Sequence, residues 1–122
     1  LKFFISFLQE VYSKEDIFMA WLLLFAAIIL EVFATVQMKL SDGFTKTDAS
    51  VSTVALFVLS FLCASFAFKK IDLGLAYALW SGLGTVGIIA AGILFFDEPS
   101  NLMKIGFTTL IVIGVIGLNF TS

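Results

Sequence analysis

Four apolar runs dominate this chain, at residues 19–38, 51–68, 73–96 and 102–120, and short polar breaks separate them. A membrane-spanning helix takes about 20 predominantly apolar residues, so four of them need roughly 80 and leave about 40 for loops and ends. Each run is apolar all round, neither striped with period 3.6 nor alternating. Helices bounded by lipid and by one another have this pattern. A membrane β-barrel would need many short alternating segments, which the chain lacks. The surface of a water-soluble domain takes about a quarter of its residues as charged side chains. Here they make up 13% of the 122 residues, and the mean hydropathy is +1.11. The expected fold is therefore an all-α integral membrane protein with four transmembrane helices.

Several functions drop out on composition. The net charge is −2, with no arginine and no basic cluster, so nothing offers phosphates a binding surface and nucleic acid is not an expected partner. Histidine is absent, which removes imidazole metal ligation and histidine acid–base catalysis. The single cysteine, Cys63, cannot form an internal disulfide and reads as a small apolar side chain. No nucleophile stands beside a base, so an enzyme, a metal and a cofactor are not expected.

Residues 1–18 differ from the rest, because Lys2, Glu10, Lys14, Glu15 and Asp16 interrupt Phe3-Phe4-Ile5 and Phe7-Leu8. Two readings stay open for this extension: an interfacial amphipathic helix, or an over-extended start ahead of Met19. Residues 19–122 form the four-helix domain on either reading. With alternating helices, the first and third loops share one side with Lys39, Lys46 and Lys104. Lys69 and Lys70 lie on the other, joined by Lys2 and Lys14 when the extension counts. Lys and Arg excess normally sets orientation. A tally of three against two, or three against four, hardly sets it. Such balance suits a protein that inserts both ways up and pairs antiparallel with itself; a single orientation set by a weak bias or a partner chain is the alternative.

Glu31 lies about a dozen residues into the first run, far from either charged flank. A carboxylate at that depth is expensive in hydrocarbon and should face the bundle interior, a wet cavity or a cation. Desolvation favours its neutral form, and a second carboxylate nearby would favour it further, so a proton can be held near neutral pH. The plainer alternative is a permanently protonated side chain that bonds neighbouring helices. Helical spacing puts Ala27, Ala34, Thr35 and Met38 on the Glu31 face, where small side chains leave room for a guest. On the third run Tyr77, Trp80, Ser81 and Gly84 share a face. Aromatic rings opposite a carboxylate suit an organic cation, although Tyr77 and Trp80 also suit interfacial anchoring. Gly82-Leu83-Gly84-Thr85-Val86-Gly87 matches the dinucleotide-binding spacing in letters only, since no strand–turn–helix unit surrounds it. Glycines in such a run serve close helix approach and a bend.

Leu30-Glu31-Val32 followed by Met38-Lys39-Leu40-Ser41-Asp42-Gly43-Phe44, together with Ala76-Tyr77-Ala78-Leu79-Trp80-Ser81-Gly82-Leu83-Gly84, resembles the two signatures of the small multidrug resistance family of proton-coupled cation exporters. The resemblance covers residues 19–121 and implies an antiparallel, dual-topology homodimer in the bacterial inner membrane. Helices one to three would build a shared chamber, and helix four would supply much of the dimer contact. It implies that Glu31 binds protons and cationic substrate in turn, that Tyr77 and Trp80 line the chamber, and that Ala34 and Thr35 are small positions beside the carboxylate. Ser60 would be a second-helix hydroxyl near it, Gly82 and Gly84 a hinge. Phe57 stands where some drug-exporting members carry tyrosine. Gly114 fits the glycine pattern of the dimer helix, and Gly106 is displaced from it by one position.

On substrate the resemblance divides. Ala34 is similar to the residue of quaternary-ammonium exporters, since guanidinium exporters commonly carry tryptophan there. The stretch from Thr85-Val86-Gly87 through Glu98, Asn101 and Met103-Lys104 is closer to guanidinium exporters and to the paired, heteromeric subunits. The surroundings of Asp72 and Tyr77 resemble polyamine exporters. The expectation is an antiporter for lipophilic quaternary ammonium cations, with guanidinium or polyamine export, or a heterodimer with a related subunit, as alternatives. A small structural or assembly subunit of the membrane is the alternative of another class.

Overall fold

The computed structural model describes residues 1–13 and 17–121. They form five helices in the order α1 (Lys2–Ser13), α2 (Ile17–Leu40), α3 (Thr47–Ala67), α4 (Leu73–Phe95) and α5 (Leu102–Thr121). The last four are long and apolar enough to cross a membrane, and no strand occurs among the described residues. This is the all-helical, four-span architecture expected. Three charged residues of the extension, Lys14, Glu15 and Asp16, lie outside the described residues.

The first polar break is shorter than the sequence suggests. A loop over residues 39–50 is expected, but α2 continues to Leu40 and α3 begins at Thr47. Lys39 in the last turn of α2 and Asp48 in the first turn of α3 both oppose the helix dipoles, which favours extending each helix. The remaining turn is organised by Ser41, which is fully buried. Its hydroxyl donates to the Met38 carbonyl at 2.6 Å and accepts from the Phe44 amide at 3.0 Å. Its carbonyl accepts from the amides of Thr45 and Lys46. Asp42, Gly43 and Phe44 all take left-handed backbone angles, φ 50°, 70° and 65°, so glycine in the middle removes one of three conformational penalties.

Helix α2 is central: it packs along α3, against α4, and touches α1, whereas α5 rests on α4. The core is a cluster in which Leu24 and Ile28 of α2 meet Phe66 of α3, Leu75 and Leu79 of α4 and Val115 of α5. Leu8 of α1 joins it. Away from that core Phe18, Leu22, Phe25, Ile29 and Phe33 are exposed along one stripe of α2, a surface that lipid tails cover at no cost. Association of such helices rests on close packing and interhelical hydrogen bonds. Two glycines of α4 show the packing: a Cβ at Gly82 would meet Val115 Cγ2 at 2.8 Å, and one at Gly87 would meet Val32 Cγ2 at 2.8 Å. Their close-approach role is therefore seen directly, on two different neighbours.

Lys104 Nζ folds back and donates to the Pro99 carbonyl at 2.9 Å. The Lys104 amide is capped by Asn101 Oδ1 at 2.8 Å, so this loop satisfies the α5 N-terminus from within.

Candidate functional site

The site is assembled where α2 and α4 run side by side in the same direction, with α3 against them. Residues four apart on α2 meet residues four apart on α4, and this stacks the site in layers one helical turn thick. In the first layer Ser60 of α3, fully buried, donates to the Ala27 carbonyl of α2 at 2.7 Å. The Trp80 indole Nε1 of α4 donates to the Ser60 hydroxyl at 3.3 Å. One hydroxyl thus links three helices and fixes the ring plane of Trp80.

Aromatic rings surround that tryptophan. Tyr77 meets it edge-on at 5.9 Å between centroids, Phe61 at 5.6 Å and Phe68 at 6.1 Å. Phe57 stacks on Phe61 at 5.9 Å, so it reaches the cluster through a second ring. Tyr77 remains 56% exposed, which leaves its hydroxyl and ring available beyond the subunit. Phe61 and Phe68 were not anticipated from sequence. The signal available was the i, i+3, i+4 spacing of Phe57, Ser60 and Phe61 on one helix, which is hard to distinguish from ordinary lipid-facing phenylalanine.

One turn further along, the Glu31 carboxyl lies against Gly84, where a Cβ would collide with it. Gly84 is buried and Glu31 half-buried. Thr35, one turn on, turns its hydroxyl back to the Glu31 carbonyl at 2.8 Å, as does Ser81 to the Tyr77 carbonyl at 2.7 Å. These intrahelical bonds satisfy hydroxyls that would otherwise be unpaired in hydrocarbon. Glu31, Thr35, Ser60, Tyr77, Trp80 and Gly84 are thus brought together. Ala27 and Ala34 are different: both have no exposed surface, so their small size lets helices approach and presents no face to a guest within the subunit.

Gly106 and Gly114 belong to another surface. A Cβ at either would have nothing within 4 Å, and both are exposed on α5. Val115, which packs on Gly82, lies about 180° around the helix from Gly106. Among the described residues no group of three or more acidic or cysteine side chains is placed to hold a metal. Cys63 is half-buried in α3 as a free thiol.

Comparison with known proteins bears on the whole bundle. The family model described as Small Multidrug Resistance protein matches residues 19–111. The guanidinium exporter of Proteus vulgaris is 38% identical over 104 residues, covering 85% of this chain and all of the exporter. The guanidinium exporter of Escherichia coli K12 is likewise 38% identical, over 85% of this chain and 99% of its own. The Bacillus subtilis membrane protein YvaE is 44% identical over 83% of this chain and 85% of its own.

Proposed function

Because this chain belongs to the Small Multidrug Resistance protein family, whose members are membrane transporters, we propose that it exports guanidinium-type cations in exchange for protons at Glu31. The observation that carries the reading is the seat of the Glu31 carboxyl on Gly84, one turn from the Ser60–Trp80 layer. An acid in that position can be neutralised in two ways, by a proton or by a cation, and a group that holds one at a time couples the two fluxes. The planar guanidinium fork pairs with a carboxylate through two parallel hydrogen bonds and stacks on aromatic faces. Glu31 and Trp80 supply both partners.

The order of substrates differs from the sequence expectation. The small side chain of Ala34 points in the sequence to quaternary ammonium, but Ala34 is wholly covered by the chain's own helices and presents no surface to a guest within the subunit. Two relatives that match almost end to end, those of Proteus vulgaris and Escherichia coli, are named guanidinium exporters, which supports the smaller, planar cation. Exchange in liposomes decides between them. Guanidinium should drive proton movement and be driven by a pH gradient, while tetraphenylphosphonium and alkylammonium ions should be poor substrates; the opposite ranking would restore the quaternary-ammonium reading. An assembly subunit would release no protons when guanidinium is added to the weakly buffered protein.

The working unit in this reading is an antiparallel homodimer in the bacterial inner membrane. The near balance of lysines across the loops supports it, as does the exposed Gly106–Gly114 side of α5. Residue labels that placed every C-terminus on one side of the membrane would exclude the homodimer and point to a heteromeric partner. Bending of α4 at Gly82 and Gly84 is the proposed route by which access alternates.

A further inference from the structure

Between the C-terminal ends of α2 and α4 lies a small cavity of about 80 Å³, lined by Thr35, Lys39, Gly92, Phe96 and Glu98 among others. We propose that Phe96 and Glu98 form an outer binding site for a small organic cation, whose place is taken in this conformation by the ammonium of Lys39. Three observations carry this. Lys39 Nζ stands over the Phe96 ring at 5.5 Å from its centroid, so the ring already accepts a cation by its π face. The Glu98 carboxyl is held in the same cavity against Gly92, where a Cβ would displace it. It is aimed there by a turn in which Asp97 takes φ 52° and both the Phe96 and Glu98 amides donate to the Gly92 carbonyl at 3.1 Å.

The backbone adds to the same field. α2 ends at Leu40 and α4 at Phe95, so two helix carbonyl ends, each carrying a partial negative charge, converge beside Glu98. A carboxylate at a helix C-terminus is unfavourable by itself, and a cation between it and the ring relieves both. The site leads inward: Thr35, which lines the cavity, bonds to the carbonyl of Glu31, two turns before Lys39. The binding site stands on these contacts alone; its place on the route to Glu31 rests on the export reading.

The test is a titration of the ¹⁵N-labelled full chain in lipid bicelles with guanidinium chloride, at ionic strength held constant with sodium chloride. It is run on the Glu31→Gln protein so that the inner carboxylate does not contribute. The amides of Gly92, Phe96 and Glu98 should shift saturably. Adding Glu98→Gln should weaken the binding that they report by roughly two- to fivefold, the size of an exposed charge pair. Adding Lys39→Gln should strengthen it by a similar factor, because the internal competitor is gone. Absence of a saturable shift overturns the site. So does a change in the same direction for both variants, which would mark Lys39 and Glu98 as a structural latch. Should Glu98→Gln fail to fold, Phe96→Leu removes the ring while leaving every charge in place, and unchanged binding in that variant overturns the proposal equally. Wild-type exchange in liposomes is read separately. Saturable shifts without exchange sink the export reading and leave the outer site standing; exchange without shifts does the reverse.

Discussion

The carboxyl of Glu31 on α2 occupies the space that a side chain at position 84 of α4 would fill. Glycine at 84 is thereby part of the acid's binding pocket, in addition to any part it has in bending α4. Gly84→Ala should push the carboxyl off its seat and lower proton-coupled exchange by about tenfold or more, as misplacement of a reacting group by an ångström can. Circular dichroism should still report the four-helix fold. Unchanged exchange in the folded variant would show that the contact is packing only.

Glu31→Gln is expected to fold, insert and lose exchange, since an amide neither releases a proton nor attracts a cation. In the wild type, proton and cation compete for one carboxylate. Apparent guanidinium affinity should therefore rise with pH while Glu31 still holds its proton, by up to about tenfold per unit for one proton displaced, and level off once it is deprotonated. Isothermal titration at several pH values measures the slope. A flat profile, or full pH-driven transport by the glutamine variant, would remove Glu31 from the coupling role.

Ser60 is bonded on both sides, to the Ala27 carbonyl at 2.7 Å and the Trp80 indole at 3.3 Å. Interhelical hydrogen bonds in membranes are worth about 0.6 kcal/mol on average and rarely above about 1.7, so Ser60→Ala should cost little stability in reversible unfolding from mixed micelles. The larger effect should fall on Trp80, whose ring loses its acceptor and whose fluorescence anisotropy should drop. Stability lower by several kcal/mol would mean that Ser60 does more in packing than its two bonds account for.

Two glycine substitutions of the same chemistry should diverge. Gly82→Val meets Val115 and Ile111 across the α4–α5 contact, and overpacking of this kind costs about 1–3 kcal/mol, so the isolated subunit loses stability. Gly114→Val points into open space and should leave the subunit intact while weakening self-association, measured by cross-linking at graded protein-to-lipid ratios. Equal effects on both readouts would contradict the separation of the two α5 faces.

The four spans were legible in the sequence because a bilayer imposes one demand on every lipid-facing residue: apolar side chains over a length fixed by the hydrocarbon. Glu31 was legible for the converse reason, since a carboxyl in such a run has no structural excuse without a partner. The signatures around Glu31 and Trp80 were local strings and needed no contacts to be read. What the string could not decide was which residues meet. Whether Ala34 borders a chamber or fills a helix contact depends on rotation about the α2 axis, and every face of a uniformly apolar helix looks alike. Tertiary packing turned Ala34 inward, brought Gly84 under the acid, gave Gly82 to α5, and laid Lys39 over Phe96 from a residue more than fifty positions away. Those outcomes follow from close fit between helices, which is a property of pairs of surfaces and is carried by no single segment.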